Sequence, residues 1–296
     1  MKWVPPLLLV LLCLAVACGL MPPATSDVAS TAAPVVSPGG SEGRCGDGVC
    51  DGPENASLCP DDCTADGTSV SAEEGAYWVT NPTSGAQLYV RVVQPRGWDK
   101  GPLPTLVLIP GGSGDSSRFI GQDQRIADDG FTVVVFDPDG RGRSEGVEDD
   151  NGYVHQDGLA AVVRFAASLP AVDEAQMGMA SWSYGITMAA GALARHPDLP
   201  VRFLIDWEGP ADRNDTGGCD AANLGHLKGH ACDDEDFWRQ REAATFATGI
   251  QVPYQRLQSE KDHVQPDQAH TLLMINNATA EEHGGSGQSP WTRLND

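Results

Sequence analysis

Ser183 lies in the stretch "ASWSYG" (Ala180 to Gly185), at the junction of an apolar run and a helix-length run of small residues. A serine hydroxyl can attack a carbonyl when a sharp turn lifts it into the open and a neighbouring base takes its proton. The usual small-x-Ser-x-Gly spacing is kept here with Ser181 in the place of the first glycine and Gly185 as the second. A second requirement is a set of backbone N–H groups for the developing oxyanion. Gly111-Gly112-Ser113-Gly114 follows the run "TLVLIP" and can supply them, so Gly112 and Ser113, with Tyr184 beside the serine, are the expected donors. The orienting carboxylate is expected at Asp262 in "VPYQRLQSEKDHVQP", with Asp206 and Glu208 of "IDWEGP" as runners-up. The base is open between His283, in a glycine-rich stretch, and His263, which adjoins Asp262 and would need Glu208 or Asp206 as its partner. His270 sits in the helix-like "QAHTLLMINNATAEEH", where it is expected to face no site.

These residues need a scaffold, and the apolar pattern describes one. "TLVLIP" (105–110), "FTVVVFD" (131–137), "QMGMAS" (176–181) and "VRFLID" (201–206) are continuous apolar runs of strand length. Strands buried on both faces read this way, which points to a parallel sheet. Between them "SRFIGQDQRIADDG", "DGLAAVVRFAASL" and "GITMAAGALARH" have helical length. "AYWVTNP" and "AQLYVRVVQP" suit an antiparallel lead-in. The fold class expected is α/β: a mostly parallel sheet with helices on both faces and a cap insertion.

The order of three motifs resembles the α/β-hydrolase fold superfamily over nearly all of residues 75 to 280. They are the glycine turn after "TLVLIP", the turn "FDPDGRGRSEG", similar to that family's D-x-R-G-x-G-x-S, and the serine turn at 181–185. The loop carrying Asp262 is similar to the family's G-x-x-D-x-x-x-P. The resemblance implies that Ser183 is the nucleophile of a Ser-His-Asp triad acting on a small acyl substrate without a cofactor. In that family the histidine follows an eighth strand, and no clear eighth strand is visible here. That absence speaks for a noncatalytic hydrolase-like surface or binding protein, which stands with a serine peptidase of the same fold as an alternative to the leading expectation, an exported esterase.

The remaining sequence bears on setting. "MKWVPPLLLVLLCLAVAC" reads as a secretory signal over residues 1–17. Its end resembles a bacterial lipobox with Cys18 as the lipidated residue, although Ala15 stands where Leu is preferred. Membrane association is thus expected only through a lipid anchor in a bacterial cell envelope, with ordinary cleavage to a periplasmic or secreted protein as the alternative. Residues 18–43 have the composition of a disordered tether. Residues 44–64, with Cys45, Cys50, Cys59 and Cys63, are expected to be a small disulfide-stapled module. The module resembles Cys-rich segments of myxobacterial surface proteins. The hydrolase-like domain is placed at 72–296 with its cap at about 211–248. A net charge of −22 over 296 residues disfavours nucleic acid and anionic lipid surfaces as partners. His226, His230 and Cys232 raise the thought of a metal site, but Cys219 offers Cys232 a partner and Gly225 and Gly229 disfavour a helix there. A Cys219–Cys232 disulfide and no metal is the expectation.

Overall fold

Continuous apolar runs form the middle of the sheet. The computed structural model describes residues 75–214, 219, 230–259, 262 and 269–279. Its strands are β1 (Ala76–Thr80), β2 (Gln87–Val93), β3 (Leu103–Ile109), β4 (Thr132–Phe136), β5 (Val172–Trp182), β6 (Leu204–Trp207) and β7 (Tyr254–Leu257). Its helices are α1 (Gln122–Asp128), α2 (Tyr153–Ser168), α3 (Gly185–Arg195), α4 (Glu235–Trp238), α5 (Ala243–Ala247) and α6 (Ala269–Thr279), with a 3-10 turn at Ser116–Phe119. Every residue of β4 is buried, because neighbours cover both its faces.

The strand order is β1-β2-β4-β3-β5-β6-β7. β1 with β2 and β2 with β4 run antiparallel, and every other pairing is parallel. Side chains alternate across the pleat and divide the core in two. Val107 and Ile109 of β3 join a large cluster with Leu159 and Val163 of α2 and Ile186 and Met188 of α3. Leu106 and Leu108 point the other way, to a smaller cluster with Phe119 and with Ile126 and Ala127 of α1. Helices therefore cover both faces, in the α/β architecture expected from the sequence.

One helix start differs from expectation. α2 begins at Tyr153 rather than near Asp157, because His155, Gln156 and Asp157 are themselves buried and bonded in its first turns. Within the stretch expected as cap, at about 211–248, Ala243, Ala244, Phe246 and Ala247 of α5 pack in the main core. The short residues of this helix lie close to those of α3, which is why composition alone did not mark them as core.

Candidate active site

Ser183 stands at the carboxyl end of β5, between the ends of β3 and β6. Ligand sites of open α/β sheets form along this edge. Its φ is +48°, a left-handed conformation that a serine adopts only when its surroundings impose it. The constraints are visible. The Ser183 N–H donates to the Trp207 carbonyl (2.8 Å), and its carbonyl accepts from the Ile186 N–H (3.1 Å) as α3 begins. A Cβ on Gly185 would come 2.6 Å from the Pro110 carbonyl oxygen. A Cβ on Gly111 would come 2.6 Å from the Trp182 oxygen and 2.9 Å from Ser183 Cβ. Both glycines are needed so that the ends of β3 and β5 can approach this closely, while Ser183 itself stays partly exposed.

Ser181 shows why the first glycine of the motif is dispensable. It is still a strand residue, paired with Ile109 and Asp206, and its hydroxyl lies 3.5 Å from the Ile205 carbonyl. The sharp bend comes at residue 183, so position 181 requires small volume rather than unusual φ.

On the β3 side, Gly112 has φ +56° and is exposed with Ser113, while the Gly114 N–H closes the turn on the Gly111 carbonyl (3.0 Å). The turn after β4 holds this region from below. Asp137 accepts from the N–H groups of Ser116 (2.8 Å) and Arg143 (2.7 Å), and the Ser144 hydroxyl donates to the Asp137 carbonyl (2.5 Å). Arg141 forks onto both oxygens of Glu148 at 2.8 and 2.6 Å. Sequence reasoning missed Asn151, which joins Arg141 to the Tyr184 carbonyl; the turn-like "DDNGY" was its only local signal.

On the other side, the last pairs of β5 with β6 and of β6 with β7 are Trp182–Trp207 and Trp207–Leu257. Ser183, Glu208 and Gln258 therefore leave the sheet as neighbours. Glu208 also has a left-handed φ, +50°. With Asp150 (46°) and Asn151 (63°), these are the non-glycine residues of positive φ among those described, and all four gather around the serine turn. Strain of this kind collects at functional sites.

The carboxylates take different roles. Asp206 is fully buried and committed to structure: its Oδ2 accepts from Tyr254 Oη (2.6 Å) and Arg256 Nη1 (2.7 Å), and its Oδ1 from the Gly209 N–H (3.1 Å). Burial and the adjacent Asp206 charge push the Tyr254 phenol well above its ordinary range, so it stays a neutral donor. Glu208 accepts from the Ser259 N–H (3.0 Å) and from the Ser259 hydroxyl. Asp262 accepts from Gln258 Nε2 (2.7 Å) and lies 3.7 Å from His270 Nε2.

That last contact corrects the expectation for His270. The histidine is buried and turned toward the expected acid, with Arg256 Nη2 3.0 Å and the Gly209 carbonyl 3.2 Å from its Nδ1. Burial first and the Arg256 charge second hold its pKa below the ordinary histidine value, so the ring is neutral. Nδ1 thus faces both a donor, Arg256, and an acceptor, the Gly209 carbonyl, while Nε2 points to the Asp262 side without a hydrogen-bond partner among the described residues. Helical periodicity placed His270 among apolar neighbours and could not reveal this partner from another element.

His230 stacks on Phe237 at a centroid distance of 3.5 Å and lies 3.5 Å from Asp234. Cys219 and Cys232 are joined as a disulfide. Arg213 braces this staple: its carbonyl accepts from the Cys219 N–H (3.1 Å), and its guanidinium bonds the Cys232 carbonyl (2.8 Å), Glu235 and Glu242. Cys18, the 44–64 module, His226, His263 and His283 lie outside the described residues.

Comparison with known proteins agrees with this geometry. Residues 84–226 match the family described as X-Pro dipeptidyl-peptidase (S15 family). No curated protein matches the chain. Among solved structures, dipeptidyl peptidase 4 of Porphyromonas gingivalis is similar at 19% identity and a TM-score of 0.56, over 71% of this chain and 30% of that one. Acetyl Xylan Esterase 1 from Thermoanaerobacterium sp. JW/SL YS485 is similar at 19% identity and a TM-score of 0.54, over 68% of this chain and 72% of that one. Est1E from Butyrivibrio proteoclasticus, solved with ferulic acid bound, gives 18% identity and a TM-score of 0.54, over 68% and 84%. The chain thus spans less than a third of the peptidase and most of each esterase. It has the α/β-hydrolase fold.

Proposed function

We propose that this protein is a serine hydrolase that cleaves an ester or related acyl bond of a small substrate, with Ser183 as nucleophile. The observation that carries this reading is the partly exposed Ser183 held at φ +48° on the strand-to-helix turn. Its Oγ would attack the acyl carbonyl while a histidine takes the hydroxyl proton. The oxyanion would be met by N–H groups of Gly112, Ser113 and Tyr184. Collapse would expel the alcohol, protonated by the same histidine, and water would then release the acyl group by the reverse proton route. Asp262 is the orienting acid in this reading and Glu208 its alternative; His283 or His263 supplies the base. Asp206 is set aside, since Arg256 and Tyr254 occupy its outer oxygen. Export, and anchoring through lipid on Cys18, belong to the same proposal and rest on the N-terminal sequence.

A peptidase reading is favoured by the match of residues 84–226 to an X-Pro dipeptidyl-peptidase family. Turnover of p-nitrophenyl acetate and of an X-Pro p-nitroanilide by the full chain separates the two. Ester hydrolysis that disappears in Ser183→Ala supports the esterase reading. Preference for the anilide moves the assignment to peptidase, and turnover of neither by the wild type favours a noncatalytic protein.

A further inference from the structure

Asn151 occupies a position that only its context explains. It is fully buried, it has φ +63°, and the preceding Asp150 is also left-handed. Asparagine tolerates this region better than most residues, but two in succession are kept only where surrounding bonds impose them. Every polar group of Asn151 is engaged. Its N–H donates to His155 Nδ1 (3.1 Å), and its carbonyl accepts from Gln156 Nε2 (3.1 Å). Its side-chain Oδ1 accepts from Arg141 Nη2 (2.9 Å), and its Nδ2 donates to the Tyr184 carbonyl (2.8 Å). Arg141, also buried, lies with Nη1 3.4 Å from the Gly114 carbonyl.

One guanidinium thus reaches both arms of the expected oxyanion hole. It touches the Gly111–Gly114 turn directly, and it touches the residue after the nucleophile through Asn151. We propose that Arg141 and Asn151 are positioning residues that clamp these arms, so that the N–H groups of Gly112, Ser113 and Tyr184 keep their aim as charge develops on the substrate oxygen. The inference rests on the serine hydrolase reading above. The Tyr184 carbonyl already accepts from the Thr187 N–H at the start of α3 (3.2 Å). A second bond from Asn151 holds the peptide plane that follows Tyr184, while the plane before it, which carries the Tyr184 N–H, is held by the Ile186 N–H on the Ser183 carbonyl (3.1 Å). Lysine could not replace Arg141, because a single ammonium cannot span Glu148, Asn151 and Gly114 together.

Two variants of the full chain test the clamp. Asn151→Asp keeps the shape and the acceptor for Arg141 but places a carboxylate oxygen against the Tyr184 carbonyl, removing the donation. Asn151→Gly suits the left-handed φ and keeps both backbone bonds while deleting the bridge. The probe is a pair of aryl esters, one with a carbonyl oxygen and one with sulfur in its place, since sulfur is larger and a poorer hydrogen-bond acceptor. Thermal melting verifies folding, and Asn151→Gly decides if Asn151→Asp does not fold. The expected result is a fall in kcat of about 10- to 100-fold with KM nearly constant, of the size that misplacement of a reacting group produces. The preference for the oxygen ester over its sulfur analogue should shrink with it. Folded variants that keep the wild-type preference overturn the clamp while leaving the hydrolase reading intact. A wild type that cleaves neither ester overturns both.

Discussion

The two flanks of Ser183 are held by different chemistry. On the β3–β4 flank, Arg141 pairs with Glu148 (2.6 Å), whose side chain is 19% exposed, and reaches the turn through bonds to uncharged acceptors, directly at the Gly114 carbonyl and by way of Asn151 at the Tyr184 carbonyl. On the β6–β7 flank, a buried ion pair dominates: Arg256 and Asp206 meet at 2.7 Å with side chains that are 1% and 0% exposed. Arg256 then reaches Gln258 (2.8 Å) and His270, and both of these face Asp262. Water can reach the partly exposed Glu148 and offset part of a lost partner there. It cannot reach the Arg256–Asp206 pair, where a charge left alone has no compensation.

The largest effect should therefore come from the fully buried pair of the β6–β7 flank. Arg256→Met leaves the Asp206 carboxylate buried beside Tyr254 and should destabilise the fold by about 3–5 kcal/mol. Chemical denaturation measures this, and the double variant Asp206→Asn/Arg256→Met should recover part of the loss. A single variant within 1 kcal/mol of wild type would erase the distinction between the flanks.

The β3–β4 flank has its own weakness, at His155. Burial first and the Arg141 charge second lower its pKa to about 4, and it must stay neutral to accept from Asn151 and donate to the Asp139 carbonyl (2.9 Å). Between the ordinary value of about 6.5 and 4, the unfolded chain takes up this proton and the folded chain does not. Stability is therefore complete above about pH 6.5 and falls as pH drops toward 4, by up to about 3 kcal/mol in total. Asp139 and Asp149, whose burial raises their pKa values, act in the opposite direction and shallow the slope. Melting curves across this range should flatten in His155→Gln. An unchanged slope would show that His155 is not the group that titrates.

Smaller effects sharpen the picture of the turn itself. Gly185→Ala places a methyl 2.6 Å from the Pro110 carbonyl oxygen and should cost about 1–3 kcal/mol through overpacking. Ester turnover should fall along with melting temperature, because β3 and β5 must separate. Ser181→Gly should cost only about 0.5–1 kcal/mol, the general penalty for glycine inside a strand. Its turnover should match wild type, since the bend lies two residues later.

Much of this was legible in the sequence for a plain reason. Strands buried on both faces must be continuously apolar, so 105–110, 131–137, 176–181 and 201–206 announced the sheet centre. Small residues at 181 and 185 announced the close approach around Ser183. What remained hidden depends on contacts between distant segments. Asn151 bonds a carbonyl 33 positions away, and His270 meets Asp262 only because α6 folds back on the end of β7. Nothing local in "DDNGY" or "QAHTLL" encodes either partner. The burial of the small residues of α5 is hidden for a related reason, since they lie against α3, another distant segment.

The central claim is that the left-handed turn makes Ser183 a nucleophile. Its most direct test is to treat the full chain with a fluorophosphonate and locate the modified peptide by mass spectrometry. The account predicts one adduct, on Ser183, formed with loss of fluoride and absent from Ser183→Ala. An unmodified wild-type protein, or an adduct that persists in Ser183→Ala, would contradict it.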